Sequence, residues 1–213
     1  MSFLEIIDNI DNLYNVLALK KCYDKMFNEI TDKDGIISLN NYKFNNHTGD
    51  ITKNIYWTWA INKESLKLFE NCIVNMMPEI NKFFNNNFKL FGASFITLYD
   101  KQILDSESNY HIDVSSHYDK EDTNILTLIF PLYIDEDMGG LEYMKNNEIK
   151  LYNYKPKGVF IWDACKLDHR TQPYNLLCKK KRVLVSMNLV SETDWALKSI
   201  SKTLKYQGNI ECK

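Results

Sequence analysis

The sequence predicts an α+β fold, with helices leading and an antiparallel β sandwich or jelly roll following. Apolar residues recur at threes and fours over about residues 3–30 and 62–87. From Phe88 the period drops to two, or to short apolar runs. Polar turn clusters (DSES, DEDMGG, KNN, KPKG) separate those runs, so alternating βα units are excluded.

At 213 residues the chain is expected to form one domain, 1–213, with a mainly helical part at 1–87, a β core at 88–190 and a helix with tail at 191–213. A hydrophobic content of 45% with 13% aromatic residues is ample for a core. A net charge of -2 gives no general attraction to nucleic acid or membrane. The N-terminal stretch has acids inside its apolar period and lacks the basic start and apolar run of a signal peptide. No apolar run is long enough to span a bilayer. Five widely spaced cysteines without a CxxC pair point to reduced thiols, hence to a soluble, intracellular (cytoplasmic) protein.

Leu4, Ile7, Ile10, Leu13, Tyr14 and Leu17 predict one or two amphipathic helices between residues 3 and 30. Residues 31–50 are turn-rich, with a short apolar run at Gly35–Leu39, and read as loops around a short strand. His47, among Asn, Thr and Gly, reads there as a surface histidine. Ile55–Trp59 suits a strand. Residues 62–87 have helical spacing that Pro78 should kink or restart and the Asn85–Asn87 run should close. Strands are expected near 89–99, 109–114, 125–133, 141–144, 148–154, 159–162, 169–174 and 182–190, then a closing helix over 192–205.

The residues suited to chemistry lie in the β half. The run NYHIDVSSHYDKED holds two His-x-Asp tripeptides, His111-Ile112-Asp113 and His117-Tyr118-Asp119. Residues two apart in an extended strand share a face, so either pair offers an imidazole and a carboxylate together. With His169 added, the set becomes two histidines and one carboxylate, which suits non-haem Fe(II). Arg170 and Arg182 are the only arginines in a lysine-rich chain. A planar fork is needed where a carboxylate is gripped through two parallel hydrogen bonds, and Arg182, opening an apolar strand, suits that task. The bland alternative is a surface arginine ending the KKKR run at 179–182, which also looks like an anion or import patch.

Taken together, Tyr99, an HxD pair, LTLIFPLY, GGLEYM, FIWDACKLDHRTQP and RVLVSMNLV resemble the 2-oxoglutarate- and Fe(II)-dependent dioxygenases, most closely the prolyl-4-hydroxylase-like branch. The resemblance covers roughly residues 88–190. It implies a double-stranded β-helix (jelly-roll) core with buttressing helices. The implied activity hydroxylates a substrate while 2-oxoglutarate is decarboxylated to succinate. Fe(II) would be the cofactor and 2-oxoglutarate the co-substrate, with ascorbate an optional addition. The partners would be O2 and a peptidyl proline or lysine, or a free amino acid or small metabolite. The resemblance also implies that one HxD pair and His169 bind the metal and that Arg182 pairs with the distal carboxylate of 2-oxoglutarate. Tyr99 would hydrogen-bond the co-substrate, and Gly139 and Gly140 would form a tight turn. The preferred catalytic and metal set is His117, Asp119 and His169, because His117 stands where a strand gives way to loop. His111 with Asp113 stays open as the alternative. The rival readings are a non-catalytic jelly-roll binding module and a jelly-roll metalloenzyme that does not use 2-oxoglutarate.

Overall fold

The computed structural model describes residues 3–6, 13–50, 55–99, 102–103, 109–114, 122–135, 138–175 and 180–208. Phe3–Ile6 is a strand, β1, rather than the start of a helix. Its four residues pair antiparallel with Val159–Asp163 (β10), so partner strand hydrogen bonds override the local apolar period. Helix α1 (Leu13–Asp32) follows. A hairpin of β2 (Gly35–Leu39) and β3 (Tyr42–Asp50) turns at Asn40, whose φ of 54° suits asparagine. Strand β4 (Ile55–Ala60) falls where a strand was expected and completes a three-stranded contribution from the N-terminal part, with β3 in place of the loop expected there.

Helix α2 (Lys63–Ile73) is opened by a capping box between Asn62 and Ser65. Pro78 sits in the first turn of α3 (Met77–Phe84), where a missing N–H costs nothing, and Asn85 closes that helix at φ 50°. Then come β5 (Phe88–Tyr99), β6 (Gln102–Ile103), β7 (Ile125–Tyr133), β8 (Leu141–Lys145) and β9 (Glu148–Tyr152). After β10 the chain adds β11 (His169–Thr171), β12 (Tyr174–Asn175), β13 (Lys181–Ser191) and α4 (Asp194–Gly208).

Eight strands form the main sheet in the order β1-β10-β7-β13-β5-β4-β3-β2. A second sheet, β11-β8-β9, and the pair β12-β6 complete the jelly roll. Gly139 takes φ 69° at the entry to β8, and a Cβ on Gly140 would stand 2.4 Å from the Tyr152 carbonyl oxygen, so this turn requires glycine.

The two faces of the main sheet have different tasks, and β5 shows the alternation. Phe95 and Thr97 point to the helices, where Phe95 meets the rings of Tyr23 and Phe69 and the Tyr23 hydroxyl lies 3.0 Å from Thr97 Oγ1. That side joins Leu19, Met26 and Ile30 of α1 with Phe69 and Ile73 of α2 in the largest apolar cluster. Ser94, Ile96 and Leu98 point the other way, into a cavity. Helices α1 and α2 therefore buttress one face, while the other opens on a cavity that α4 helps to line. Residues 109–114, expected as a strand, make only an isolated bridge from His111 to His169. No described helix is long and apolar enough to cross a membrane.

Candidate active site

The bridge puts two imidazoles side by side. His111 N–H donates to the His169 carbonyl (2.9 Å) and His169 N–H returns the bond (3.0 Å), leaving the ring centroids 4.6 Å apart. Asp113, two residues on, shares their space: its Oδ1 lies 3.5 Å from His169 Nε2 and 3.9 Å from His111 Nε2. One ligand atom from each of His111, Asp113 and His169 lies within 4.8 Å of the others.

Each of the three side chains is held by the atom it does not present. His111 Nδ1 faces the Asn109 carbonyl at 3.0 Å, and His169 Nδ1 faces the Leu167 carbonyl at 3.0 Å. A carbonyl accepts only, so each Nδ1 carries a proton, which in the neutral imidazole leaves the lone pair on Nε2. Asp113 Oδ2 accepts from Thr127 Oγ1 (2.6 Å) and Trp162 Nε1 (3.0 Å), which leaves Oδ1 facing the histidines. The Trp162 ring also meets His169 edge-on at 4.9 Å. Two imidazole nitrogens and a carboxylate oxygen, each oriented from behind, fit Fe(II) as a facial ligand set.

Arg182 is the second pole of the same cavity, whose volume is about 530 Å3. It is fully buried, and none of its three guanidinium nitrogens has a hydrogen-bond partner among the described residues. Its guanidinium carbon lies 5.1 Å and 5.3 Å from the ring centroids of Tyr154 and Tyr174. Ring quadrupoles offset part of a buried cation's cost, but five N–H donors stay unmet. Burial pushes both phenols up, against the pull of the Arg182 charge and of its nearby N–H groups, so both remain protonated. The Tyr174 hydroxyl is itself buried without a partner among the described residues. A buried fork with protonated phenols around it has the donor geometry that suits a carboxylate.

The structure therefore brings together His169, Arg182, His111 and Asp113. His117 and Asp119, the preferred pair from sequence, lie outside the described residues. Tyr99 is not brought into the cavity: its ring packs edge-on against Phe27 of α1 at 5.4 Å, on the helix face of β5. Its odd position, matching Phe95 and Thr97, is the signal that could have shown this. His47 is not the surface residue expected but lines the cavity, stacked on Trp57. Thr127, Tyr154 and Tyr174 were not anticipated as site residues; only their apolar strand setting is visible in sequence. Trp162 is buried in the core and also holds Asp113.

No family model and no curated protein matches the chain by sequence. Solved structures do match in fold. A prolyl-4-hydroxylase from Pseudomonas putida is 11% identical with a TM-score of 0.57, over 90% of this chain and 94% of that one. HygX from Streptomyces hygroscopicus, with nickel and 2-oxoglutarate bound, is 9% identical with a TM-score of 0.58, over 92% and 85%. A prolyl hydroxylase from Trichoplax adhaerens, in complex with a peptide fragment of the hypoxia inducible factor oxygen degradation domain, is 15% identical with a TM-score of 0.59, over 93% and 87%. The chain has the jelly-roll fold of the 2-oxoglutarate- and Fe(II)-dependent oxygenases.

Proposed function

We propose that the protein is a 2-oxoglutarate- and Fe(II)-dependent oxygenase, with the metal held by His111, Asp113 and His169 and the co-substrate's distal carboxylate held by Arg182. The observation that carries this reading is the pairing, in one cavity, of an oriented two-histidine, one-carboxylate set with a buried guanidinium lacking a partner. The balanced reaction is substrate–H plus 2-oxoglutarate plus O2 giving substrate–OH, succinate and CO2. Bound Fe(II) supplies the activation of dioxygen that couples decarboxylation to hydroxylation.

The chain's own part is position and charge. Arg182 closes a bidentate pair with the carboxylate, and Tyr154, which lines the cavity beside the guanidinium, takes the place expected of Tyr99. Thr127 and Trp162 keep Asp113 Oδ2 occupied, so that Oδ1 faces the centre. Ile129, Leu141 and Leu184 line the cavity with apolar surface, which limits water at the centre.

The substrate in this reading is a peptidyl proline or lysine, or a free amino acid or small metabolite. Among the fold neighbours, one holds a peptide fragment and HygX also occurs with hygromycin B bound. The test is anaerobic addition of Fe(II) and 2-oxoglutarate, followed by a succinate-release screen over peptides and metabolites. A visible charge-transfer band that needs both additions supports the reading; its absence with fully loaded metal overturns it.

A further inference from the structure

The end of the cavity away from Arg182 has unmet polar groups of its own. His47, Trp57, Trp59 and Ser94 come from β3, β4 and β5 and face the same way, with His47 opposite Trp57 and Trp59 opposite Ser94. The His47 ring stacks on Trp57, with centroids 5.6 Å apart and planes at 21°. Trp59 is 4% exposed and Ser94 is 0% exposed. Yet Trp59 Nε1, Ser94 Oγ and His47 Nδ1 are each buried without a hydrogen-bond partner among the described residues. All three side chains line the cavity that also holds the triad. Packing accounts for the Trp59 ring, which sits against Ala196, Ile200 and Leu204 of α4, but not for its unsatisfied N–H.

Those atoms define the chemistry of what would meet them. An indole N–H only donates, so Trp59 needs an acceptor, while a serine hydroxyl can do either. Burial lowers the His47 pKa, against an opposing pull from Asp34, so the ring is a neutral imidazole. The lining residues Ile96, Ser186, Asn188, Thr203 and Gln207 are neutral as well, and the cavity's ionisable side chains are those of the triad and Arg182 besides His47 and the tyrosines. A charged group seated here would be buried without a counter-ion.

We propose that His47, Trp57, Trp59 and Ser94 form the substrate-recognition wall, and that it takes an uncharged group bearing a hydroxyl or amide oxygen, with the indoles covering its apolar side. The inference rests on the oxygenase reading only in calling that ligand the substrate. A hydroxylated ring and a capped amide share the required chemistry, and the arms of the test separate them.

The full-length protein, with Zn(II) and N-oxalylglycine added, is followed by indole 15N–1H spectroscopy. It is titrated with myo-inositol, N-acetyl-L-prolinamide, glucuronate and free L-proline. Trp59→Phe identifies the Trp59 resonance and removes the donor while keeping a ring against α4. One or both neutral probes should shift that resonance saturably, the charged probes should not, and Trp59→Phe should weaken the effective probe about tenfold. The neutral probe that works names the source of the group. No response to either neutral probe, or an equal response to the charged ones, overturns the proposal. Bound Zn(II), measured on the same sample, reports on the oxygenase reading separately from the indole shift.

Discussion

His111 and His169 are the two partners of a single isolated β-bridge, and their paired backbone hydrogen bonds bring both imidazoles to the same point. Main-chain geometry thus brings the two imidazoles together. A metal-binding prediction follows for the two HxD pairs. His111→Ala should lose Fe(II) and turnover, whereas His117→Ala should keep near wild-type metal content. Metal analysis and succinate formation read both variants. Full loading of His111→Ala with loss in His117→Ala would give the site to His117 and Asp119.

Arg182 supports a prediction of opposite signs. Arg182→Lys keeps the charge but loses the fork, so 2-oxoglutarate should bind about 1–3 kcal/mol more weakly by calorimetry. Arg182→Met removes a buried cation that has no partner among the described residues. It should stabilise the protein free of metal and co-substrate by about 1–3 kcal/mol while abolishing stabilisation by N-oxalylglycine. A less stable Arg182→Met protein would show that the guanidinium is already compensated.

Much of this was legible in the sequence for a simple reason: period and rarity survive without coordinates. The helix-to-strand change at Phe88 marks where β5 begins, and the scarcity of arginine picks out Arg182. The HxD choice was harder because NYHIDV has strand-like alternation, which places His111 inside a strand. Its ladder shrinks to one bridge, which sets His111 beside His169, while His117 and Asp119 lie outside the described residues. Tyr99 failed on parity alone. His47 looks exposed in its polar neighbourhood, and only the β3–β4 register sets it against Trp57.

Glu142 joins the two segments that bear the histidines. Its Oε2 accepts from Arg170 Nε (2.7 Å) and from the Tyr110 hydroxyl (3.2 Å), and each donor is the chain neighbour of a triad histidine. The Arg170 guanidinium also lies over the Tyr110 ring at 4.7 Å. Glu142→Gln should weaken metal binding about 10–100-fold while leaving the fold intact. Arg170→Lys should do the same to a lesser degree. Unchanged metal affinity in Glu142→Gln would mean that the bridge alone positions His111.

Two buried thiols give a pH prediction. Burial pushes Cys22 up to about 11, against a smaller opposing pull from Lys25, and pushes Cys72 up to about 12. A thiol with its pKa raised on folding binds its proton more tightly in the native state. Above the ordinary value of 9.0 the unfolded chain releases that proton and the folded chain does not. The stability contributed by these thiols is therefore fully present below pH 9 and is lost as the pH rises from there through the folded values. Melting temperature should fall across that window. Cys72→Ala should flatten the fall at the cost of a lower plateau, because it leaves a small void beside Leu68 and Phe69. The same burial should keep both thiols unmodified by iodoacetamide in native protein at pH 8, and open them in denaturant. Rapid native alkylation of Cys72, read by peptide mass mapping, would show that α2 opens locally from the sheet.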